Sequence, residues 1–182
     1  LSDDELHRLI RKHPQVLSLS TEGSAQQTLD VLRDTLALDD GQLRSLVIKL
    51  PQALGLNAEN NLRPKLGFIA DALCFSPSEL RDAVMREPLI LGCSLERSLR
   101  PNVKAWRDAL RAHPQGESDL KRLFQQNGLR PLTASFEKRT RPRLSKLEQA
   151  GLDPREALSR MRMTDAAFDQ WIATHLDSSE SR

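Results

Sequence analysis

Tyrosine is absent from this 182-residue chain, and Phe and Trp together bring aromatic residues to only 4%. That scarcity argues against recognition sheets that stack bases on exposed rings. There are two cysteines, Cys74 and Cys93, with no metal-site spacing, so two buried thiols in a reducing compartment are expected. His7, His13, His113 and His175 are scattered, with no partner spacing for a triad or a metal. The pairs Asp3-Asp4 and Asp39-Asp40 look like metal ligands on paper, but helix starts explain them better, because carboxylates favour the positive first turn. Nothing assembles a nucleophile, a base or a metal site, so neither an enzyme nor a cofactor is expected. No apolar run approaches the roughly 20 residues of a membrane span, which leaves no membrane partner to expect. The chain opens on Leu1 rather than Met, from which a preceding segment, cleaved or left out, is expected.

What the chain does have is charge, unevenly placed. The formal net charge is only +2. Residues 1–40 carry four Lys and Arg against eight Asp and Glu, whereas residues 97–146 carry thirteen against four. Segregation of this kind is expected where one face or end meets a polyanion.

It also has a repeat. Pro14, Pro51 and Pro88 are spaced by 37 residues, as are Pro64 and Pro101, and Pro142 follows 41 later. Around the second set of prolines the columns align. Ser20, Asn57, Ser94 and Ser135 form one, and Glu22, Glu59, Glu96 and Glu137 another. Gln26, Arg63, Arg100 and Arg141 precede the proline position. Leu32, Ile69, Trp106 and Leu147 follow it, with Leu29, Leu66, Val103 and Leu144 three residues earlier. Repetition at this period indicates a stack of supersecondary units.

Each column has a local reason. Ser or Asn is a good N-cap. Glu four residues before Arg is the favourable order for an ion pair on a helix. A short helix is therefore predicted over 57–62, 94–99 and 135–140. Proline then opens a long helix at its first position, where no N–H is needed; the predicted ranges are 64–74, 101–112 and 142–151. A second long helix begins near 2–6, 39–43, 76–80, 116–120 and 153–158, with acidic first turns. Its buried pairs are expected to be Leu6 and Ile10, Leu43 and Val47, Leu80 and Val84, and Leu120 and Phe124. Pro14, Pro51, Pro88 and, in the fourth copy, Gly128 end it. The expected architecture is all-α: a solenoid of four to five units, each two long helices plus one short one, over residues 1–176. A terminal helix over 164–176 covers the end with Phe168, Trp171, Ile172 and Leu176, and 177–182 form a frayed tail. Trp106 and Trp171 fall on apolar faces and read as core.

The copies PQALGLNAENNLRPKLGFI and PLILGCSLERSLRPNVKAW resemble the mitochondrial transcription termination factor (mTERF) family, and PQVLSLSTEGSAQQTLDVL and LRPLTASFEKRTRPRLSKL are looser versions. The resemblance spans nearly the whole chain. It implies a helical-repeat protein of mitochondria, or alternatively chloroplasts, that binds nucleic acid through basic residues and has no catalytic residues. RNA is favoured over double-stranded DNA, with ribosomal RNA and ribosomal proteins as partners and no small-molecule substrate. Double-stranded DNA in transcription termination, and a protein-binding scaffold inside a ribonucleoprotein, remain alternatives. The chain has fewer units than long members and only mild overall charge, so a shorter target is expected.

Two sets of residues are candidates for the contact. Arg63, Arg100 and Arg141 stand beside helix N-termini, where phosphate is favoured, yet the Glu column persists where Gln26 replaces Arg and so favours an ion pair within each repeat. The stronger candidate is Lys138, Arg139, Arg141, Arg143 and Lys146, in the most basic segment. Lys104, Arg107, Arg111, Lys121 and Arg122 extend it, with Arg100 beside them.

Overall fold

The computed structural model of the chain describes residues 2–14, 17, 24–111 and 116–180. Ser20 and Glu22 of the first copy, His113 with most of the 111–119 connection, residues 181–182 and the Leu176 side chain lie outside the described parts. Among the described residues there is helix and turn and no strand. The chain is all-α, as its repeat predicts.

The residues gather into two compact units, Leu1–Leu95 and Glu96–Arg182. Unit 1 holds α1 (Asp3–Lys12), α2 (Ser24–Leu36), α3 (Asp40–Lys49), α4 (Arg63–Leu73) and α5 (Pro77–Arg86). Unit 2 holds α6 (Arg100–Leu110), α7 (Gly116–Asn127), α8 (Arg141–Gln149), α9 (Pro154–Ala157) and α10 (Asp165–Glu180). The first long helix of each repeat is α2, α4, α6 or α8, and the second is α3, α5, α7 or α9.

The second helices start where side chains can replace the missing backbone partners. Ser2, Asp39 and Ser76 each accept from the N–H three residues on, and Glu5, Gln42 and Glu79 reach back to the cap. Asp39 is thus a cap, and Asp40 lies 2.6 Å from Arg33. α3 and α5 stop before Pro51 and Pro88, with Leu50 and Glu87 turned out of the helical conformation that a following proline disfavours. A 3-10 turn then follows, over Pro51–Gly55, Pro88–Gly92 and Arg130–Thr133. These turns have no counterpart among the helices expected from the repeat.

The short helices form, but as π turns continuous with the next helix: Ala58–Leu62, Leu95–Leu99 and Phe136–Thr140. Asn57 and Ser135 cap them, accepting from Asn60 N–H at 2.7 Å and Lys138 N–H at 3.4 Å. The wide turn is closed by Leu62 N–H to Asn57 O at 3.1 Å and Thr140 N–H to Ser135 O at 3.2 Å. Proline therefore sits at the second helical residue rather than the first. Its ring would collide with a carbonyl four residues back in a continuous α-helix, and a π turn opens that space.

The apolar columns make the core. Leu32, Ile69, Trp106 and Leu147 are all fully buried, as are Leu66, Val84 and Phe124. Leu6 departs from expectation: it is 44% exposed, whereas Leu43 and Leu80 in its column are buried. On α1 the covered position is Leu9 instead. Cys74 also departs, being exposed, with Cys93 half-buried. Cys74 occupies the left-handed position that ends α4, with φ +52°, and such a position projects the side chain past the helix end.

A column that the alignment passed over carries most of the buried polarity. The residue just after the proline position is Thr28, Lys65, Asn102 or Arg143, and all four are buried. Each reaches carbonyls at the 3-10 turn of the next repeat. Thr28 donates to Leu56 O at 2.8 Å, and Lys65 to Leu91 O. Asn102 donates to Leu132 O at 3.0 Å and Ala134 O at 2.9 Å. Arg143 donates to Met161 O at 2.8 Å and Met163 O at 2.7 Å. Turn carbonyls buried between helices need partners, and this column supplies them at every junction.

The last copy is cut short. Asp153 caps α9, but the helix spans only Pro154–Ala157 before a 3-10 turn at Leu158–Arg162. The carbonyls that Arg143 takes up, Met161 and Met163, follow within six residues of the end of α9. The terminal helix α10 continues through 177–180, past its expected end at 176; that stretch has no proline or glycine to stop it.

Candidate nucleic-acid interface

Every residue of the predicted basic surface belongs to unit 2. With His neutral, unit 2 carries seventeen Lys and Arg against twelve Asp and Glu, a net +5, and unit 1 carries ten against thirteen, a net −3.

The arginine column is paired as its Glu column predicts. Arg63 lies 3.0 Å from Glu59, Arg100 2.9 Å from Glu96, and Arg141 2.8 Å from Glu137. All of these side chains are at least half exposed. Such pairs contribute about 0.2–1 kcal/mol each, so Arg100 and Arg141 can exchange carboxylate for phosphate at little cost. In the first copy Gln26 turns to Asp30 instead, at 2.9 Å.

On α6, Lys104 and Arg111 close on one acid. Asp108 lies 2.7 Å from Lys104 and 3.5 Å from Arg111. The Lys104 hydrogen bond holds the Asp108 carboxyl below the usual carboxylate range, with Arg111 and Arg107 adding to the effect. These three cations therefore form one cluster. Asp108 and Arg141 also line a cleft of ≈ 610 Å³ with Ala105, Ala109, Phe136 and Leu144. Lys121 and Arg122 stand on α7, which packs on α6.

The second cluster lies on the third π turn and α8. Lys138 and Arg139 are exposed on Phe136–Thr140. Neither forms a close ion pair with a described residue. Lys146 is exposed on α8, 2.5 Å from Asp169 of α10.

Arg143 must be taken off the surface. It is 3% exposed. Its guanidinium donates to Met161 O, Met163 O and the Asp165 carboxylate at 2.7 Å, and stacks 4.6 Å from the centre of the Phe168 ring. It holds the last repeat together and is not available to phosphate. The sequence held a signal for this: its counterparts Lys65 and Asn102 are polar residues on an otherwise apolar stripe. The acids that meet the basic clusters, Asp108, Asp165 and Asp169, were also missed, although Asp108 stands at helical spacing from both Lys104 and Arg111.

Both tryptophans are buried, as predicted. Trp106 meets Phe124 edge-on with ring centres 6.3 Å apart, and Trp171 lies among Phe168, His175 and Arg160. Among the described residues no group of three or more His, Cys, Asp or Glu side chains is placed to hold a metal, and no helix is long and apolar enough to cross a membrane.

The repeat pattern and the all-helical frame agree with the match of the mTERF family model to residues 1–169. The chain belongs to the mTERF family. Membership in the mTERF family implies an organellar repeat protein that binds nucleic acid. No curated protein matches the chain closely enough to stand as a relative.

Proposed function

We propose that this mTERF-family chain binds structured RNA, ribosomal RNA foremost, through the basic surface of unit 2. The reading places it in organelle gene expression, in the mitochondrion before the chloroplast, as a non-catalytic component associated with the ribosome. The observation that carries it is the charge of unit 2, with Lys138 and Arg139 exposed together on the third π turn and neither in a close ion pair with a described residue. Phosphate contacts of this type orient a folded nucleic acid without reading its bases. The preference for folded RNA is supported by the buried tryptophans, neither of which is placed to stack an unpaired base.

The test is a titration of a labelled RNA stem-loop with the full chain at several salt concentrations, with duplex DNA of equal length as competitor. RNA is expected to win the competition, and log affinity to fall linearly with log salt. Changing Lys138→Ala and Arg139→Ala together is expected to weaken binding and lower the salt slope by roughly 1.5–2, one unit or slightly less per lost phosphate contact. Unchanged affinity in the double variant would refute the assignment of the surface, and preference for duplex DNA would move the function to transcription.

A further inference from the structure

The inference drawn here rests on the reading of unit 2 as a polyanion-binding surface and concerns what the terminal helix does to it. α10 opens with Thr164, whose hydroxyl accepts from Ala167 N–H at 3.2 Å. One turn of α10 separates Asp165 from Asp169. Asp165 accepts from Arg143 and Asp169 from Lys146, at 2.7 and 2.5 Å. The Asp165 carboxyl is held below its ordinary range by the Arg143 hydrogen bond first, and by the nearby charges of Arg139 and Lys146 as well. Two carboxylates of one helix thus face three cations of α8 and the π turn.

The two pairs differ in kind. Arg143 is buried and also bound to backbone carbonyls, so its pair with Asp165 is part of the packing. Lys146 and Asp169 are 45% and 51% exposed. They touch nothing that requires them to stay together, and an exposed pair of this type is readily exchanged.

We propose that Asp169 is a specificity-determining residue of the basic surface. Its carboxylate occupies Lys146 and repels phosphate approaching from the α10 side. A polyanion gains Lys146 only if its other phosphates, held at Lys138 and Arg139, keep it in place while phosphate replaces carboxylate. A folded RNA with phosphates fixed in space meets that condition, and a flexible polyanion meets it poorly. The repulsive element thus rejects the wrong ligand more than it weakens the right one.

The experiment compares the full chain with Asp169→Asn, using two probes: an RNA stem-loop and inorganic polyphosphate. Asp169→Asn is expected to tighten polyphosphate binding by about two- to fivefold, the worth of one exposed ion pair, and to tighten RNA binding less. Its salt slope for polyphosphate should steepen, since one more cation becomes available. In a Lys146→Ala background the gain should shrink to what the lost repulsion alone gives, and Asp169→Glu should behave as the parent. Asp71→Asn, the same charge change on an exposed residue of unit 1, should change neither affinity. If the parent binds neither probe in a salt-dependent way, the polyanion reading of unit 2 itself fails. If the parent binds but Asp169→Asn gains nothing, gains equally with both probes, or gains equally without Lys146 or through Asp71→Asn, the role of Asp169 is overturned.

Discussion

Arg141 and Arg143 stand two positions apart in RTRPRLSK and have opposite fates. Arg141 leans back along the π turn to Glu137 and stays in water. Arg143 turns inward, where two turn carbonyls and Asp165 accept from its terminal nitrogens. A run dense in positive charge hides this difference, because composition scores both residues alike. The repeat register separates them, since the position after the proline is polar and buried in all four copies. Arg143→Met keeps the packing stem and removes the donors. It is expected to destabilise the chain by about 1–3 kcal/mol, the cost of stranding buried carbonyls, as read by urea unfolding. RNA affinity of the folded variant should match the parent. A variant of normal stability with weakened binding would return Arg143 to the surface.

At the scale of elements, local chemistry decides most boundaries. Capping boxes start α1, α3 and α5, and proline ends α3 and α5 by forcing the preceding residue out of helix. The helix ends before the second helices share another device. Leu38, Phe75 and Leu152 each donate to a carbonyl five residues back, across Ala37, Cys74 and Gly151 in the left-handed region. Only Gly151 is free of the steric cost that a Cβ brings there. Cys74→Gly is therefore expected to stabilise the chain by roughly 0.5–1 kcal/mol, and Gly151→Ala to destabilise it by about 1 kcal/mol. Thermal unfolding of both variants checks this, and a loss of stability in Cys74→Gly would show that the thiol contributes more than the backbone strain removes. The π turns were legible only as short helices. Distinguishing a five-residue from a four-residue hydrogen bond requires knowing where the proline ring finds space, and that depends on the helix it joins.

At the scale of the molecule, the two units carry charges of opposite sign, −3 and +5. If polyanion contact belongs to unit 2, cations of unit 1 should matter little to it. Arg8 and Arg11, both exposed on α1, serve as the comparison. Changing Arg8→Ala and Arg11→Ala together is expected to alter RNA affinity by less than about twofold at physiological salt, where exposed charges that make no phosphate contact are screened. A loss equal to that of Lys138→Ala with Arg139→Ala would spread the interface beyond unit 2.

The repeat, the caps, the proline stops, the apolar faces and the basic segment were all determined by the sequence itself. Each of them rests on spacing along the chain, and hydrogen bonds and side-chain periodicity within a helix are local. Which cations stay in water was decided only by the tertiary structure. Arg143 is buried because carbonyls eighteen and twenty residues further on, Met161 O and Met163 O, take its guanidinium. Lys146 is shadowed because α10 brings Asp169 across a gap of twenty-three residues. Charge is counted along the chain, but its availability to a ligand is set by what packs against it.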